Sequence, residues 1–594
     1  MANSVPILDR LVGLETEYAI RFHPRAGAGE PPTRFHLYQA LITCVKQRVL
    51  TAPARHFKEG VFLANGGAVW FETERPAAGG GLIEGATPEC RGPSQVVRYQ
   101  RAQDQLLGQC ARMAEVDGEF SLVKNDRDGR GHVYGAQENY EAVLGTGWAL
   151  WGWRLGLLLL IPLVVLMWLV TLLTIGGILV YYGLAGLVYL PMRRCTTQPR
   201  RLAVALFGRD LVEGRETGCP TPAWLETLLL WFARLVHAPL AVCLLSLIHC
   251  TAFRRTRRQL LPFLISRCIV TGAGLVDDDG RFQLADKAPA INCLIGLGGF
   301  LKDRPVFTFG HFFKTLCVES FLSPREYGQL FRQRQRLQIG LGDSNMAELA
   351  EFLRVGTTAL LLDVIEAGEL PPLSRLVRPL EGLHQFCSDP TLTCRVRLQN
   401  GQQATALQLQ RFYLAACQQF LARRPEAPEE AHEVVAAWEE VLDGLEQLQH
   451  SGQLPACLIG TVDWVTKKQL LDEAGNNIPW EARKKIDICY HELAPLGYFQ
   501  MLQAAGLTAP IVTPQELERA VRTPPPNSPA TMRGHYIREF SSDDTELSVN
   551  WKCVVIGRGC NGRSIRLARY ERPSRVASDR PPLSTHDRSN TYEP

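Results

Sequence analysis

Two carboxylates set two residues apart, Glu15 and Glu17, lie in the octet GLETEYAI at residues 13–20. Side chains of an extended strand alternate between faces, so both acids point the same way. Leu14, Thr16, Tyr18 and Ile20 take the opposite face, giving the strand an apolar side to pack and a rigid acidic side to present. Paired carboxylates on a rigid element suit a hard cation such as Mg²⁺, alone or beneath a nucleotide's phosphates. The octet reads equally as an edge strand whose acidic face meets water, and the pair alone does not separate the two. Other candidates carry less. His249 and His311 have no second His or Cys at ligand spacing and read as structural, and Gly272-Ala273-Gly274 is too short to count as a phosphate loop.

The elements around the octet read as α+β material. Short apolar runs alternate with Gly, Pro and Asn from Glu15 to about Leu144; residues 60–71 predict a hairpin turning at Asn65-Gly66, residues 94–113 an amphipathic helix and residues 120–124 a strand. Helical spacing returns at 348–365 and in the acidic stretch 429–450, whose charges read as a solvated face. Pro524–Pro526 leads into a smaller C-terminal unit, and the Pro-, Ser- and Arg-rich end from about Val576 has the composition of a disordered tail.

With 594 residues, 46% of them apolar and 21% charged, the chain can bury a large core and form several domains. A formal charge of +4 gives no global field, so nucleic acid is not an expected partner. Seventeen cysteines without a CxxC pair read as buried thiols of a reducing compartment. MANSVPILDR lacks the basic-then-apolar pattern of a secretion signal.

One stretch breaks the pattern. Residues 155–190 contain no charge in 36 positions, more than the about 20 that a membrane-spanning helix needs. Trp148, Trp151 and Trp153 precede it, Tyr181, Tyr182 and Tyr189 lie near its end, and Arg193, Arg194, Arg200 and Arg201 follow, as aromatic belts and a cytoplasmic basic flank would. A second apolar stretch, 225–253, is interrupted by Glu226, Arg234, His237 and Pro239 and ends at the RRTRR cluster 254–258; it reads as a weaker span or an interfacial helix. If the flanking sequence forms one cytoplasmic domain, the number of spans is even. A hairpin within 148–190, turning near Gly176-Gly177, keeps both arginine clusters inside and is favoured by the positive-inside rule; one span from each stretch is the alternative. The RRTRR cluster most simply suits anionic lipid headgroups, with docking of an acidic protein as the alternative.

Four blocks taken in order carry a resemblance: GLETEYAI at 13–20, LVKNDRDGRGHVYGAQENY at 122–140, LLPFLISRCIVTGAG at 260–274 and LQIGLGDSNMAELAEFLRVGTTALLLDVIE at 337–366. DPTLTCRVRL at 389–398, TALQLQ at 405–410, DWVTKKQLL at 463–471 and Arg533-Gly534 add to it. Together they resemble the family of Pup ligase and Pup deamidase/depupylase, the proteasome accessory factors PafA and Dop, within the glutamine-synthetase-like carboxylate–amine ligases. The resemblance implies a glutamine-synthetase-like antiparallel sheet with helices, interrupted by a membrane-spanning helical insertion and followed by a small C-terminal domain. The expected division is a catalytic domain at 1–144 and 254–522, the insertion at 145–253, the small unit at 523–575 and the tail at 576–594. It also implies ATP and Mg²⁺ as cofactors, a Pup-like protein modifier and its protein targets as partners, and a link to the proteasome pathway.

Residue by residue, the resemblance implies that Glu15 and Glu84 are magnesium ligands, with Glu17 or Glu138 as further candidates. Glu72 would be the catalytic carboxylate, and Thr87 and Trp464 would contact ATP. The strand NGGAVWFE at 65–72 departs from the family's NGARLYLD: Ala68 replaces an ATP-binding arginine, Trp70 a metal-associated tyrosine and Glu72 the catalytic aspartate. The loop before Glu84 is longer, so Glu74 is an alternative to Glu72. Gln137 replaces the histidine of a HEN triplet. Lys124, Asn125, Tyr134 and Asn139 read either as substrate-positioning residues or as parts of a turn and strand pairing.

Overall fold

The strand that carries the two acids, β1 (Leu11–Pro24), runs for 14 residues, with Val12, Leu14, Thr16 and Tyr18 buried and Gly13, Glu15 and Glu17 on the more open side. That alternation makes it the centre of the main sheet. The computed structural model describes residues 6–27, 31–55, 58–72, 80–124, 135–208, 211–212, 222–298, 303–475, 478–541, 546–557 and 562–567.

Around β1 the chain lays β2 (Thr51–Pro53), β3 (Gly60–Leu63), β4 (Ala68–Glu72), β5 (Leu82–Ala86), β6 (Cys90–Arg91), β7 (Gly118–Val123) and β8 (Gln137–Val143). After the apolar helices come a short hairpin, β9 (Leu275–Val276) with β10 (Phe282–Gln283), and then β11 (Cys293–Gly296), β12 (Pro305–Thr308) and β13 (Arg334–Ile339). Among the described residues the main sheet has the order β11-β12-β13-β8-β1-β5-β4-β3-β2, with β6 and β7 also paired to β1. Every pairing in it is antiparallel except β11 with β12, so the expected antiparallel sheet is mixed at one edge.

The back of the sheet is packed by helices. The Pro93–Met113 helix meets β1: Thr16 donates its hydroxyl to Gln100, Tyr18 donates to Asp104 at 2.6 Å, and Gln100 and Gln103 donate to the Tyr18 oxygen. Beneath β8 runs the Glu348–Ala367 helix, buried along nearly its whole length and tied to the N-terminal segment by the Arg10–Asp363 ion pair at 2.6 Å. The Asn65-Gly66 turn forms as the sequence predicts. Asn65 Oδ1 accepts from Gly67 N–H, and Gly66 has φ +86°, where a Cβ would run into Ala530.

A small C-terminal unit, the Pro529–Phe540 helix and a three-stranded sheet beginning at Leu547, covers one end of the site face; Phe62, Trp70 and Trp551 pack there edge to face. Arg533 lies over the Phe62 and Trp551 rings, pairs with Glu89 and donates to the Gly66 carbonyl. The proposed tail, 576–594, lies outside the described residues.

The apolar stretches form two helices long and apolar enough to cross a membrane, Gly147–Cys195 and Ala223–Cys250. The first is a single helix of 49 residues, about 74 Å long, with no turn at Gly176-Gly177. The hairpin within 148–190 is therefore corrected. Two glycines cost a helix only about 1 kcal/mol each, whereas a turn in an apolar setting would strand backbone N–H and C=O groups without partners. The two helices pack side by side, and Gly156 lets them approach, since a Cβ there would fall 2.2 Å from Leu247. The start of the long helix docks on the domain. Trp153 Nε1 donates to the Leu330 carbonyl, Arg154 to that of Phe331, and Tyr327 to that of Leu157, while Val164 and Met167 are buried. Beyond Trp168 its apolar residues, among them Leu173, Leu179 and Leu187, are mostly exposed. Arg193 and Arg194 thus lie at the opposite end of the helix from Trp148 and from the arginines at 254–258.

Candidate active site

The acidic face is assembled from β1, β4 and β5. Glu17 lies directly opposite Glu84 across the β1–β5 pairing. Glu84 in turn lies opposite Trp70, and Glu72 opposite Leu82, two residues along from Glu84 and therefore on the same face. Glu15 lies one step further along β1, opposite Ala86 on one side and Gln137 on the other. The geometry thus gathers Glu15, Glu17, Glu72 and Glu84 on a single face of one sheet.

A lysine closes this face. Lys58 is ion-paired to Glu72 and lies 2.7 Å from Glu84. Gly60 pairs with Trp70 in the hairpin, so two residues further out position 58 falls beside Glu72. At the other end Arg336 donates to Glu15 at 2.9 Å and to Asn139 at 2.7 Å, and Gln338 donates to Glu15 at 3.3 Å and bonds Gln137. Glu17 accepts the Gly135 N–H at 2.9 Å.

Crowding shows in the protonation equilibria. Burial pushes the Glu17 carboxyl up to about 8; Lys287 pulls it down, and the Glu84 and Glu72 charges add to the rise. Burial raises Glu84 as well, opposed by Lys58 and reinforced by Glu72. For Lys58, burial acts downward but the Glu84 and Glu72 carboxylates outweigh it, so the ammonium is held above its usual range. Burial, then the Arg336 charge, holds His311 well below its ordinary value, so it is neutral. Carboxylates packed this closely gain most from a multivalent cation.

A protein-family model described as Pup-ligase protein matches residues 10–555. The chain belongs to the Pup-ligase family. Among curated Pup-ligase relatives, the Pup deamidase/depupylase of Mycolicibacterium smegmatis is 32% identical over 320 residues, 52% of this chain and 59% of that one, so the match spans about three-fifths of the relative's length. Among solved structures, the complex between prokaryotic ubiquitin-like protein Pup and its ligase PafA superposes with a TM-score of 0.63 at 19% identity, covering 96% of this chain and 91% of that one. PafA in complex with ADP gives 0.57 at 19% identity, covering 87% and 88%. The fold is that of PafA.

Within this Pup-ligase fold the expected residues divide. Glu15, Glu17, Glu72 and Glu84 come together. Glu138 does not. It projects from the back of β8, fully buried, with Arg267 donating to both its oxygens at 2.5 and 3.0 Å and Tyr140 donating at 2.7 Å. Arg267 holds its carboxyl below the usual range despite burial, and the residue cements the sheet to the helices behind it. Thr87 is buried, its hydroxyl accepting the Leu14 N–H at 2.9 Å, which spends on strand stapling the group expected to meet ATP. Trp464 is fully buried with its indole N–H donated to Ile269, so neither ring face is open to a base. The Gly272–Gly274 segment is engaged within the protein: Asp343 accepts the Ala273 N–H, and Lys467 donates to the Gly274 carbonyl. Lys124 is buried against Asp104 and the Asn345 carbonyl, behind the sheet. Glu74, Asn125 and Tyr134 lie outside the described residues. Ala68 is buried and Trp70 nearly so, under the C-terminal unit.

Among the described residues no three His, Cys, Asp or Glu side chains converge as a ready metal cage. Magnesium at a nucleotide is commonly held by one or two carboxylates, with phosphate oxygens and water completing six, so the cross-strand pair Glu17 and Glu84, with Glu15 next along the same face, fits such an ion without a cage. Lys58, Lys287 and Arg336 were not singled out from sequence. The first had a usable signal, the hairpin register counted outward from Asn65-Gly66. The other two depend on pairings and loop placements set far along the chain.

Proposed function

We propose that this protein is a membrane-anchored, ATP- and Mg²⁺-dependent enzyme that joins the side-chain carboxylate of a Pup-like protein to a lysine of a target, or works on the same bond in the deamidase/depupylase direction. The observation that carries the reading is the sheet face shared by Glu17, Glu72 and Glu84, with a lysine ammonium already seated between Glu72 and Glu84. An acceptor lysine entering from a target protein has the same group to place.

The chemistry needs a carboxylate made electrophilic by the γ-phosphoryl group of ATP and an amine that then displaces phosphate. Bound Mg²⁺ neutralises charge on the phosphate oxygens. One or two of Glu15, Glu17 and Glu84, together with phosphate oxygens, would hold that ion. Glu72 accepts the proton of the incoming lysine, or of water in the hydrolytic direction. Glutamate reaches one methylene further than the family's aspartate, and a displacement of about 1 Å changes a rate by on the order of 100-fold, so the backbone of β4 must compensate.

The anchoring reading rests on the two apolar helices. The long helix exposes apolar residues from Leu155 to Leu190, 36 positions and about 54 Å, among them Leu158, Leu159, Leu172, Leu173, Leu179 and Leu187, more than about 30 Å of hydrocarbon needs, and the Ala223–Cys250 helix packs along its first part. One crossing from each helix returns the chain to the side of the catalytic domain, which we place in the cytoplasm, and puts Arg193, Arg194, Arg200 and Arg201 on the far side, against the cytoplasmic flank expected from sequence.

A second reading has a specific observation in its favour. Lys58 already occupies the carboxylates, and Thr87 and Trp464 are turned inward. These features suit a Pup-binding module without turnover. Incubating purified protein with ATP, Mg²⁺ and a Pup-like protein ending in Glu or Gln, then reading masses of modifier and target, separates the readings. A mass gain on target lysines identifies the ligase, conversion of Gln to Glu identifies the amidase, and binding without any mass change supports the module.

A further inference from the structure

Where the apolar helices join the domain there is a cleft of ≈ 500 Å³. Three separated parts of the chain wall it: the first turn of the long helix with Trp148, the start of the Arg254–Ser266 helix, and the loop ending at Arg375. Arg254, Arg255, Arg258 and Arg375 line it. Their neighbours do not neutralise them. Arg254 lies over the Trp148 ring at 5.5 Å, and Arg255 donates to Gln259. The acid in the wall, Glu366, is committed to Arg10 and Arg334. Burial and the charges of Arg254 and Arg375 lower the Arg258 pKa, the signature of cations facing one another. Arg257 turns the other way and donates to the carbonyls of Ile248, His249 and Ala252 at the end of the preceding helix, so the basic cluster divides into one buried cap and three outward cations.

We propose that this cleft binds the phosphate of a phosphorylated anion, and that in the anchored protein the phosphate belongs to the headgroup of an anionic phospholipid. Guanidinium forks match phosphate oxygens, and converging cations without carboxylate partners gain most from such a ligand. An exposed apolar stripe starts at the cleft's own Trp148 and continues through Trp151, Leu155, Leu158 and Leu159, along which acyl chains can lie. The lipid source rests on the membrane reading above; phosphate recognition does not.

The test is native mass spectrometry of delipidated full-length protein in detergent, with dioleoylphosphatidylglycerol or dioleoylphosphatidylcholine added and inorganic phosphate as competitor. Retention of the glycerol lipid over the choline lipid is expected, weakened about fivefold by Arg258→Gln or Arg375→Gln and about 25-fold by both. Arg375 lies on an exposed loop, so its single variant, with an unchanged melting curve, guards against misfolding. Retention that inorganic phosphate leaves intact assigns the site to lipid. Binding of inorganic phosphate itself, lost in the double variant, supports the phosphate site and assigns it to a soluble anion. Equal retention of both lipids, or no difference between wild type and the double variant, overturns the proposal. Protein that stays dispersed without detergent overturns the membrane reading, and the phosphate titration then decides the site alone.

Discussion

Replacing Lys58 with methionine keeps the length of the side chain and removes its charge, and it should make the site a better magnesium site. The ammonium lies 2.7 Å from Glu84 and is also paired with Glu72. With the lysine side chain 35% exposed, an effective dielectric of about 40–80 gives roughly 1.5–3 kcal/mol of attraction at that separation. Screening by salt and the entropy of holding the side chain reduce the net value to about 1–2 kcal/mol. A divalent ion that uses Glu84 must displace the ammonium from it, so Lys58→Met is expected to tighten Mg²⁺ binding by about 5- to 30-fold. Calorimetric titration at pH 8.5, without nucleotide, measures this directly. At lower pH, protons take the place of the lost ammonium and the gain shrinks. Unchanged or weaker Mg²⁺ binding would refute the claim that Lys58 and the ion compete for Glu84.

Further outcomes follow from other parts of the molecule. The Glu17 carboxyl, raised from 4.5 to about 8, holds its proton more tightly in the folded state, so its protonated form favours folding at low pH and that contribution is lost as pH rises towards 8. Glu17→Gln should therefore flatten the decline in melting temperature between about pH 5 and 8 seen in wild type; identical slopes would contradict the assignment. Glu138→Gln leaves Arg267 buried without its carboxylate and should cost about 3–5 kcal/mol in urea unfolding, against under about 1 kcal/mol for a solvated acid. In the exposed apolar stretch, Leu173→Arg with Leu179→Arg should each oppose insertion by about 2.5–3.5 kcal/mol, releasing the protein from membranes on alkaline extraction. Retention of that double variant would argue against this stretch as the span.

The local features were legible because local chemistry determines them. The period-2 alternation of β1 placed Glu15 and Glu17 together and sent Leu14, Thr16 and Tyr18 to the core. Asn65-Gly66 fixed a hairpin because Gly66 takes a left-handed backbone, and the 348–365 spacing found the central helix. What stayed hidden depends on register between distant segments. Glu138 is a further candidate ligand by sequence, yet its pairing with Leu14 puts it on the back of the sheet, a parity that β8 alone cannot reveal. Trp464 carries the aromatic surface of a base-stacking residue, but long-range packing against the Ile269 segment decides that it is buried. Gly176-Gly177 suggested a turn by composition, and the need to satisfy every backbone group in an apolar stretch keeps the helix continuous.

We propose above that the face formed by Glu15, Glu17, Glu72 and Glu84 performs ATP-dependent chemistry on a Pup-like carboxylate. Mg²⁺-dependent phosphate release from ATP by detergent-purified protein, with and without a Pup-like protein ending in Glu, tests it most directly against Glu72→Ala. Turnover is expected to rise on adding the modifier and to fall about 100-fold or more in the variant. Tight ATP binding with no phosphate release in any combination would contradict it and leave a binding module in its place.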